Sequence, residues 1–243
     1  MRAILCVVAF FTSSVLAQNR ITSAKSYTGW DCCKPICASN NNRNDILTNR
    51  GVAKVCDRSN KLLDQSTGIR TNSGCRAAGA SSAYLCDSYQ PMPVAEDFSY
   101  AFAIQVSDNQ NADNAACCKC YNVWWTTGAA AYANKSMIVQ IVTPGGAGGN
   151  IKRNDLIILT PGGGVGPLST GCTNQYGTSY SWGETNGGVK SREACDKLPA
   201  NLQGGCYWRF NWARGEMNGW DIQYEPITCP SRLTEISGCS ANP

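Results

Sequence analysis

The sequence predicts a mainly β fold, a barrel with short helices and long loops joined by disulfide bonds. Several segments alternate apolar and polar residues as strands do, while helical signals are few and short. The chain has 15 cysteines among 243 residues, enough to cross-link long loops. Since a chain of this length can bury a substantial core unaided, the cysteines indicate an oxidising environment rather than a fold too small to be stable.

Six segments have a strand pattern, either one alternating apolar face or a short apolar run next to Gly or Pro. In chain order they are Tyr100, Phe102, Ile104 and Val106 on one face, Tyr121, Val123 and Trp125 on another, Met137 to Val142, Leu156 to Leu159, Cys206 to Trp212, and Trp220 to Ile227. Two short helical segments are predicted. Ser191 is a candidate N-cap for Arg192 to Lys197, and one or two turns fall near Asn60 to Asp64.

The N-terminus has the pattern of a secretory signal peptide. A basic residue and an apolar run from Ala3 to Phe11 precede small residues that end at Ala17. We therefore expect a signal peptide over residues 1–17 and a single domain over 18–243, without an appended binding module. Cys6 lies in the signal, which leaves 14 cysteines. No other stretch is long and apolar enough to cross a bilayer, so we expect a secreted, extracellular monomer with no membrane partner.

Composition excludes several function classes. The chain has no histidine, which rules out Ser-His-Asp and Cys-His nucleophile systems and His-ligated zinc. Its 21 Lys and Arg against 17 Asp and Glu give a net charge of only +4, without the basic footprint of a nucleic-acid binder. A neutral polymer such as a polysaccharide fits better. We predict no cofactor and no metal.

Two sequence motifs have competing interpretations. The dense groups Cys32-Cys33-x3-Cys37 and Cys117-Cys118-x-Cys120 lack the CxxC pairs typical of zinc sites, so disulfide bonds are favoured. The run from Pro161 to Gly166 is rich in glycine, but no Lys-Ser/Thr pair follows it, as a phosphate-binding loop requires. It predicts a tight turn, or a close approach of two backbone segments.

Carboxylate chemistry is what remains, and two aspartates stand out. Asp31 lies between Trp30 and the Cys32-Cys33 pair, and Asp155 directly precedes the apolar run Leu156 to Leu159. Glycosidic hydrolysis needs one protonated carboxylic acid and one carboxylate. An Asp beside an apolar strand keeps its proton more readily, which predicts Asp155 as the acid. A solvated Asp on a cross-linked loop stays ionised, which predicts Asp31 as the base.

These residues resemble glycoside hydrolase family 45, the small secreted inverting endoglucanases. Trp30-Asp31-Cys32-Cys33-Lys34-Pro35-x-Cys37 is similar to the family signature WDCCKPxC. Further matches follow in order across the chain. They are Ala116-Cys117-Cys118-Lys119-Cys120-Tyr121, the PGGGVG run from Pro161, Gly171-Cys172-Thr173-x-Gln175, Ser191-Arg192-x-x-Cys195-Asp196, and Gly205-Cys206-Tyr207-Trp208-Arg209-Phe210-x-Trp212.

The resemblance implies a six-stranded double-psi β-barrel with a long open groove for β-glucan. It implies Asp31 as general base and Asp155 as general acid, with Trp30 and Lys34 in contact with substrate. It also implies seven disulfide bonds. The pairs are Cys32–Cys172, Cys33–Cys75, Cys37–Cys117, Cys56–Cys86, Cys118–Cys239, Cys120–Cys229 and Cys195–Cys206.

The sequence departs from the family at four places. Gly29 replaces a tyrosine beside the base, and Ser39 corresponds to a tryptophan expected to carry a sugar. The loop of residues 146–149 lacks an assisting aspartate. Asp155 lies two residues further from PGGGVG than the family acid, so an ungapped alignment puts Ile157 there. Because side chains alternate along a strand, Asp155 should face the same side as Ile157.

Three functions follow from this pattern. The first is an endo-acting, inverting β-1,4-glucanase that cleaves cellulose or soluble β-glucan within the chain. The second is a xyloglucan hydrolase of the same family, if the loss of the two aromatic residues widens the groove. The third is a catalytically impaired wall-binding protein similar to expansins, which usually have a second β-rich domain.

Overall fold

The computed structural model describes residues 20–39, 50–76, 81–107, 114–146 and 149–242. The predicted signal peptide, residues 1–17, lies outside these ranges. Seven strands form one sheet. They are β1 (Ile21–Gly29), β2 (Met92–Pro93), β3 (Phe98–Val106), β4 (Cys120–Trp125), β5 (Ser136–Gly145), β6 (Leu156–Leu159) and β7 (Trp220–Ile227).

Within the described residues, the following five α-helices lie between these strands or after them. They are α1 (Gln65–Arg70), α2 (Gly128–Tyr132), α3 (Thr170–Tyr176), α4 (Ala200–Asn211) and α5 (Ser231–Ser237). Four short 3-10 helices complete the described elements, among them Ile36–Ala38 and Glu193–Lys197. Within the described ranges, no helix is both long and apolar enough to cross a membrane.

Six strands close into a barrel, which confirms the predicted fold class. The order along the sheet is β2-β3-β5-β4-β7-β1-β6, and an additional pairing of β3 with β6 closes the ring of six strands. The short strand β2 pairs only with β3 and lies outside the ring. Two neighbouring pairs, β1 with β6 and β3 with β5, run parallel, and the remaining pairs of the ring are antiparallel.

Strand β1, which leads to Asp31, has no apolar run and was not predicted. Its inward side chains are small or polar. Ser26 is fully buried, and its hydroxyl donates a hydrogen bond to the carbonyl oxygen of Met217 at 2.7 Å. Thr28 is also buried, and its backbone N–H donates to Oδ1 of Asn218 at 2.8 Å. Hydrogen bonds with the neighbouring loop therefore replace apolar packing along this strand.

The barrel interior is filled by the apolar runs that the sequence indicated. Met137, Val139 and Ile141 of β5 and Leu156 and Ile158 of β6 are fully buried in one cluster. The predicted strands through residues 100–106, 121–125, 137–142, 156–159 and 220–227 are all present.

The prediction of a strand over Cys206 to Trp212 is wrong, because this segment belongs to helix α4. Its aromatic residues at every second position imitate a strand. However, Trp208 and Trp212 are also four residues apart, and their rings stack at a centroid distance of 5.1 Å, as neighbours on one helix face do. Both indoles are buried against the barrel.

The two predicted helical segments lie close to helices of the structure. Asp64 is the N-cap of α1, accepting hydrogen bonds from the N–H groups of Ser66 and Thr67, so this helix begins one residue after the predicted stretch. Near Arg192 to Lys197 the structure has a 3-10 helix, and the Ser191 hydroxyl accepts from the Ala194 N–H.

All seven expected disulfide bonds are present, joining Cys32–Cys172, Cys33–Cys75, Cys37–Cys117, Cys56–Cys86, Cys118–Cys239, Cys120–Cys229 and Cys195–Cys206. Every cysteine of the described chain is thus used in a covalent cross-link. In the chain-entropy model, a bridge that closes a loop of more than a hundred residues stabilises the fold by about 4 to 5 kcal/mol.

Candidate active site

Asp31 lies two residues beyond the end of β1, on a segment held by two disulfide bonds. The next residue, Cys32, has a φ of 61°, a backbone conformation uncommon outside glycine. This turn lets Cys32 and Cys33 reach different partners, Cys172 and Cys75. Oδ1 of Asp31 accepts a hydrogen bond from the Cys33 N–H at 2.8 Å, which fixes the orientation of the carboxyl group.

The surroundings of Asp31 make its charged form unfavourable. Burial raises the pKa of the Asp31 carboxyl above its usual range, and the hydrogen bonds from backbone N–H groups offset only part of that effect. No charged group of the described chain contributes to the shift. Asp31 is partly exposed, yet its surroundings disfavour the ionised form of the carboxyl group.

The glycine-rich run lies directly against the end of β1, as a close backbone approach predicts. The Trp30 N–H donates to the Gly164 carbonyl at 2.7 Å. A Cβ added to Gly163 would lie 2.6 Å from Cβ of Thr28 and 2.8 Å from the backbone nitrogen of Gly29. Only glycine fits there, so this run, which we call the glycine loop (Pro161 to Gly166), sets the path of the chain into Asp31.

Arg209 of α4 holds the glycine loop by hydrogen bonds to backbone carbonyls. Its fully buried guanidinium donates to the carbonyls of Gly162 and Gly187, both at 3.2 Å, and to that of Val189. Burial lowers the pKa of Arg209. A buried arginine that binds three loop carbonyls has a positioning role that was not predicted, although the residue lies in the matched GCYWRF motif. Its unusual burial becomes visible only in three dimensions.

The structure does not bring Asp155 to Asp31. Asp155 is buried at the start of β6, where Oδ1 accepts from the Lys25 N–H at 2.7 Å and Oδ2 from the Lys152 N–H at 2.8 Å. Both oxygens of the Asp155 carboxyl group are therefore occupied as acceptors of backbone N–H groups. Its position is that of a carboxylate that fixes a turn.

Strand register shows how far apart the two aspartates are. In the parallel pair of β1 and β6, Ser26 lies beside Leu156 and Gly29 beside Leu159, without a bulge between them. Asp155 is thus level with Lys25, and roughly 13 Å of strand separates that level from Gly29, at about 3.3 Å per residue. Asp31 follows two residues after Gly29, beyond the end of β1. Inverting hydrolases hold their carboxyl groups about 6.5 to 9.5 Å apart, and the strand register offers no such approach of Asp155 to the end of β1.

Ile157 lies on the same face of β6 as Asp155 and two residues closer to the end of the strand that approaches Asp31. Its register partners are Tyr27 of β1 and Ile104 of β3, and all three side chains are partly exposed. A Cβ added to Gly29 would lie 2.9 Å from Cγ2 of Ile157. The space left by the missing tyrosine at position 29 is therefore partly filled by Ile157, which weakens the case for a groove widened for branched xyloglucan.

The predicted substrate contacts Trp30 and Lys34 both point away from solvent. Trp30 is 1% exposed and packs in the core cluster that contains Cys32 and Cys172. Lys34 is buried, and its ammonium group donates to the carbonyls of Ile69 and Thr71 at 2.8 Å each. Burial lowers the pKa of Lys34 to about 8. Both residues support the Asp31 segment rather than present a surface to a sugar.

Two other places where the sequence departs from the family pattern are Ser39 and the loop of residues 146–149. Ser39, where the resemblance expects a tryptophan, follows the 3-10 helix Ile36–Ala38 and donates its N–H to the Ile36 carbonyl. Of the loop of residues 146–149, Ala147 and Gly148 lie outside the described residues.

A comparison with known families and proteins agrees with this architecture. The model of glycosyl hydrolase family 45 matches residues 23–240. The chain is 31% identical over 240 residues to an endoglucanase of Cryptopygus antarcticus, with 98% of each chain covered. It is 34% identical over 212 residues to an endoglucanase of Phaedon cochleariae, covering 87% of this chain and 81% of that one.

A longer relative and a solved structure extend the comparison. A Fusarium oxysporum relative is 35% identical over 235 residues, and the match spans 94% of this chain but only 57% of that protein. The crystal structure of the cellulase from the Antarctic springtail Cryptopygus antarcticus superposes with a TM-score of 0.74 at 30% identity, covering 90% of this chain and 96% of that one.

A closed six-stranded barrel with seven disulfide bonds, similar over most of its length to a solved cellulase, defines the protein as a glycoside hydrolase of the cellulase class. The family match covers almost the whole described chain. The chain belongs to glycosyl hydrolase family 45.

Proposed function

We propose that the protein cleaves β-1,4-glucan, cellulose or a soluble β-glucan, within the chain and with inversion, and that Asp31 is the general base. The observation that carries this proposal is the Asp31 carboxyl group itself. It is partly exposed, oriented by the Cys33 N–H, and held on a segment that two disulfide bonds and the glycine loop fix in place. The endoglucanase names of the relatives support the substrate class.

In this reaction the Asp31 carboxylate takes a proton from a water molecule as the water oxygen attacks the anomeric carbon. The bond from that carbon to the glycosidic oxygen breaks, the oxygen keeps the bonding electron pair, and it takes up a proton from solvent water. A raised pKa makes the Asp31 carboxylate a stronger base than an ordinary aspartate. The burial that raises the pKa of Asp31 therefore favours its role as a base at any pH high enough to ionise its carboxyl group.

Protonation of the leaving oxygen is the step for which the site is poorly equipped. Asp155 is held at another level of the barrel, and Ile157 has no proton to donate. We propose that turnover on natural glucan is consequently slow. Substrates whose leaving group is already stable as an anion should not need this proton, so they should be cleaved at a rate set by Asp31 alone.

The test compares two substrates and three proteins. Reducing ends released from carboxymethyl cellulose are measured beside 2,4-dinitrophenol released from its β-cellotrioside, with wild type, Asp31→Asn and Asp155→Asn. We expect the aryl substrate to be cleaved much faster than the polymer, and this activity to be lost in Asp31→Asn but kept in Asp155→Asn. No release from either substrate by folded wild type would refute the proposal.

The position of Ile157 favours a second candidate, a protein that binds β-glucan with little turnover. If the protein only binds glucan, wild type and Asp31→Asn should bind insoluble cellulose to the same extent. Neither protein should release product from either substrate. Sedimentation with cellulose, run beside the activity assay, separates the two candidates.

A further inference from the structure

The turn between α2 and β5 carries an acceptor sequence that the cellulase site does not use. Asn134-Lys135-Ser136 is the only Asn-x-Ser/Thr triplet with x other than Pro in the 243 residues. Asn134 is exposed. Two residues earlier, the last residue of α2 is Tyr132, whose 92% exposure exceeds that of every other large hydrophobic side chain in the described ranges. We infer that Asn134 bears an N-linked glycan whose first sugar packs on the ring of Tyr132.

Lys135 determines which way the triplet faces. Its side chain is 3% exposed, and its ammonium group donates to the Glu96 carbonyl and lies 5.1 Å from the ring centroid of Trp212. The middle residue of the triplet is therefore anchored inside the protein, between barrel and α4. Asn134 is left on the outer side, exposed to solvent.

The backbone of the turn is closed independently of the Asn134 side chain. Ala133 donates its N–H to the Ala129 carbonyl, Asn134 to that of Ala131, and Lys135 to that of Ala130. Asn134 has a φ of 49°, the left-handed conformation that ends many helices. Glycine would satisfy this conformation equally well, so helix termination alone does not require an amide side chain or a hydroxyl two residues later.

Tyr132 is the second observation that points to a ligand. A tyrosine ring left almost wholly in water forgoes the burial that usually stabilises an aromatic residue. N-acetylglucosamine has one face of C–H groups, and such a face packs on a flat ring. From a residue two positions away on a closed turn, the first sugar of a glycan can reach this ring.

The modification is a group transfer from a lipid-linked oligosaccharide of the secretory pathway. Nδ2 of Asn134 forms a bond to the anomeric carbon of the first N-acetylglucosamine, and the bond from that carbon to the lipid pyrophosphate breaks. The pyrophosphate leaves with the electron pair of that bond, and one amide proton is lost. The modification depends on entry into that pathway and is independent of the proposed hydrolysis.

The test is intact mass spectrometry of protein secreted from insect cells with a heterologous signal peptide. Wild type and the matched control Ser136→Thr, which keeps the triplet, should carry a glycan mass that peptide N-glycosidase removes. Asn134→Gly and Ser136→Ala should lack it, while both keep the turn. Wild type secreted and folded without a glycan would overturn the inference.

Packing on Tyr132 is tested by a double-mutant cycle in thermal unfolding. Tyr132→Ala should lower the Tm by about 2 °C in the glycosylated protein and by much less in the Ser136→Ala background. An equal shift in both backgrounds would show that the ring does not support the sugar. Cellulase activity is not needed for either measurement.

Discussion

Gly29 and Ile157 share one space on the outside of the barrel, since a Cβ at position 29 would lie 2.9 Å from Cγ2 of Ile157. Both positions depart from the residues that the family resemblance leads us to expect. A branched residue at 157 leaves little room for a ring at 29. Changes at these two positions should therefore be coupled.

We expect Gly29→Ala to destabilise the protein by about 1 to 2 kcal/mol, because the added methyl overpacks against Ile157. The backbone at Gly29 is an ordinary strand, so the cost is steric. Urea unfolding measures it. The control is the double variant Gly29→Ala with Ile157→Ala. Its loss in free energy of unfolding should be clearly smaller than the sum of the losses in the two single variants. Strict additivity would mean that the contact is unimportant.

Ile157→Asp should increase cleavage of carboxymethyl cellulose by at least about tenfold, since it places a carboxyl group on β6 nearer to Asp31 than Asp155 is. The aryl cellotrioside should gain much less, because its leaving group needs no proton. The ratio of kcat/KM values for the two substrates measures this. Ile157→Asn is the matched control, and a gain in that variant would argue against proton donation.

Asp31→Asn should abolish hydrolysis and yet make the protein more stable at neutral pH. Asparagine keeps an acceptor for the Cys33 N–H and removes a charge that burial disfavours. Burial raises the pKa of Asp31, so the stability gained by protonation is present below the unfolded pKa, near 4, and lost as pH rises through the folded pKa. The advantage of the variant should thus vanish in acid, as thermal unfolding across pH would show.

The same raised pKa predicts the pH dependence of activity. A base must be ionised, so kcat/KM on the aryl substrate should fall as pH decreases through the raised pKa of Asp31, at a pH above the ordinary value for aspartate. A pH profile of wild type measures the midpoint of this limb. A midpoint at or below about 4 would contradict the desolvated setting of the carboxyl group.

Asp155→Asn should cost about 1 to 3 kcal/mol of stability, since an amide provides one acceptor oxygen where two buried N–H groups, of Lys25 and Lys152, need two. The folded variant should keep its activity per molecule at low temperature. Loss of polymer cleavage by several orders of magnitude at unchanged stability would identify Asp155 as the acid.

Much of the fold was predictable because its signals are local. Met137 to Val142 and Leu156 to Leu159 are apolar runs whose burial needs no knowledge of the rest of the chain. β1 was missed because Ser26 and Thr28 are buried through hydrogen bonds to the distant residues Met217 and Asn218, a partnership that leaves no local pattern. Trp208 and Trp212 fit a strand and a helix equally well, and tertiary packing decided between them.

The site was predictable only in part for a related reason. The position of Asp31 beside two cysteines is visible in the sequence, and so is the glycine loop. Whether Asp155 donates a proton depends on what its two oxygens bind, and those partners lie on another strand and on the preceding turn. Side-chain alternation correctly relates Asp155 to Ile157, but it says nothing about the level at which each one lies.

The connectivity of the disulfide bonds has a consequence for cleavage of the chain by proteases. Cys32–Cys172 and Cys118–Cys239 overlap, and together they span every peptide bond between Cys32 and Cys239. A protease that cuts once anywhere in that interval leaves two pieces joined covalently. Such a nicked molecule would migrate as one species until it is reduced, and surface loops can be cut without any part of the barrel being shed.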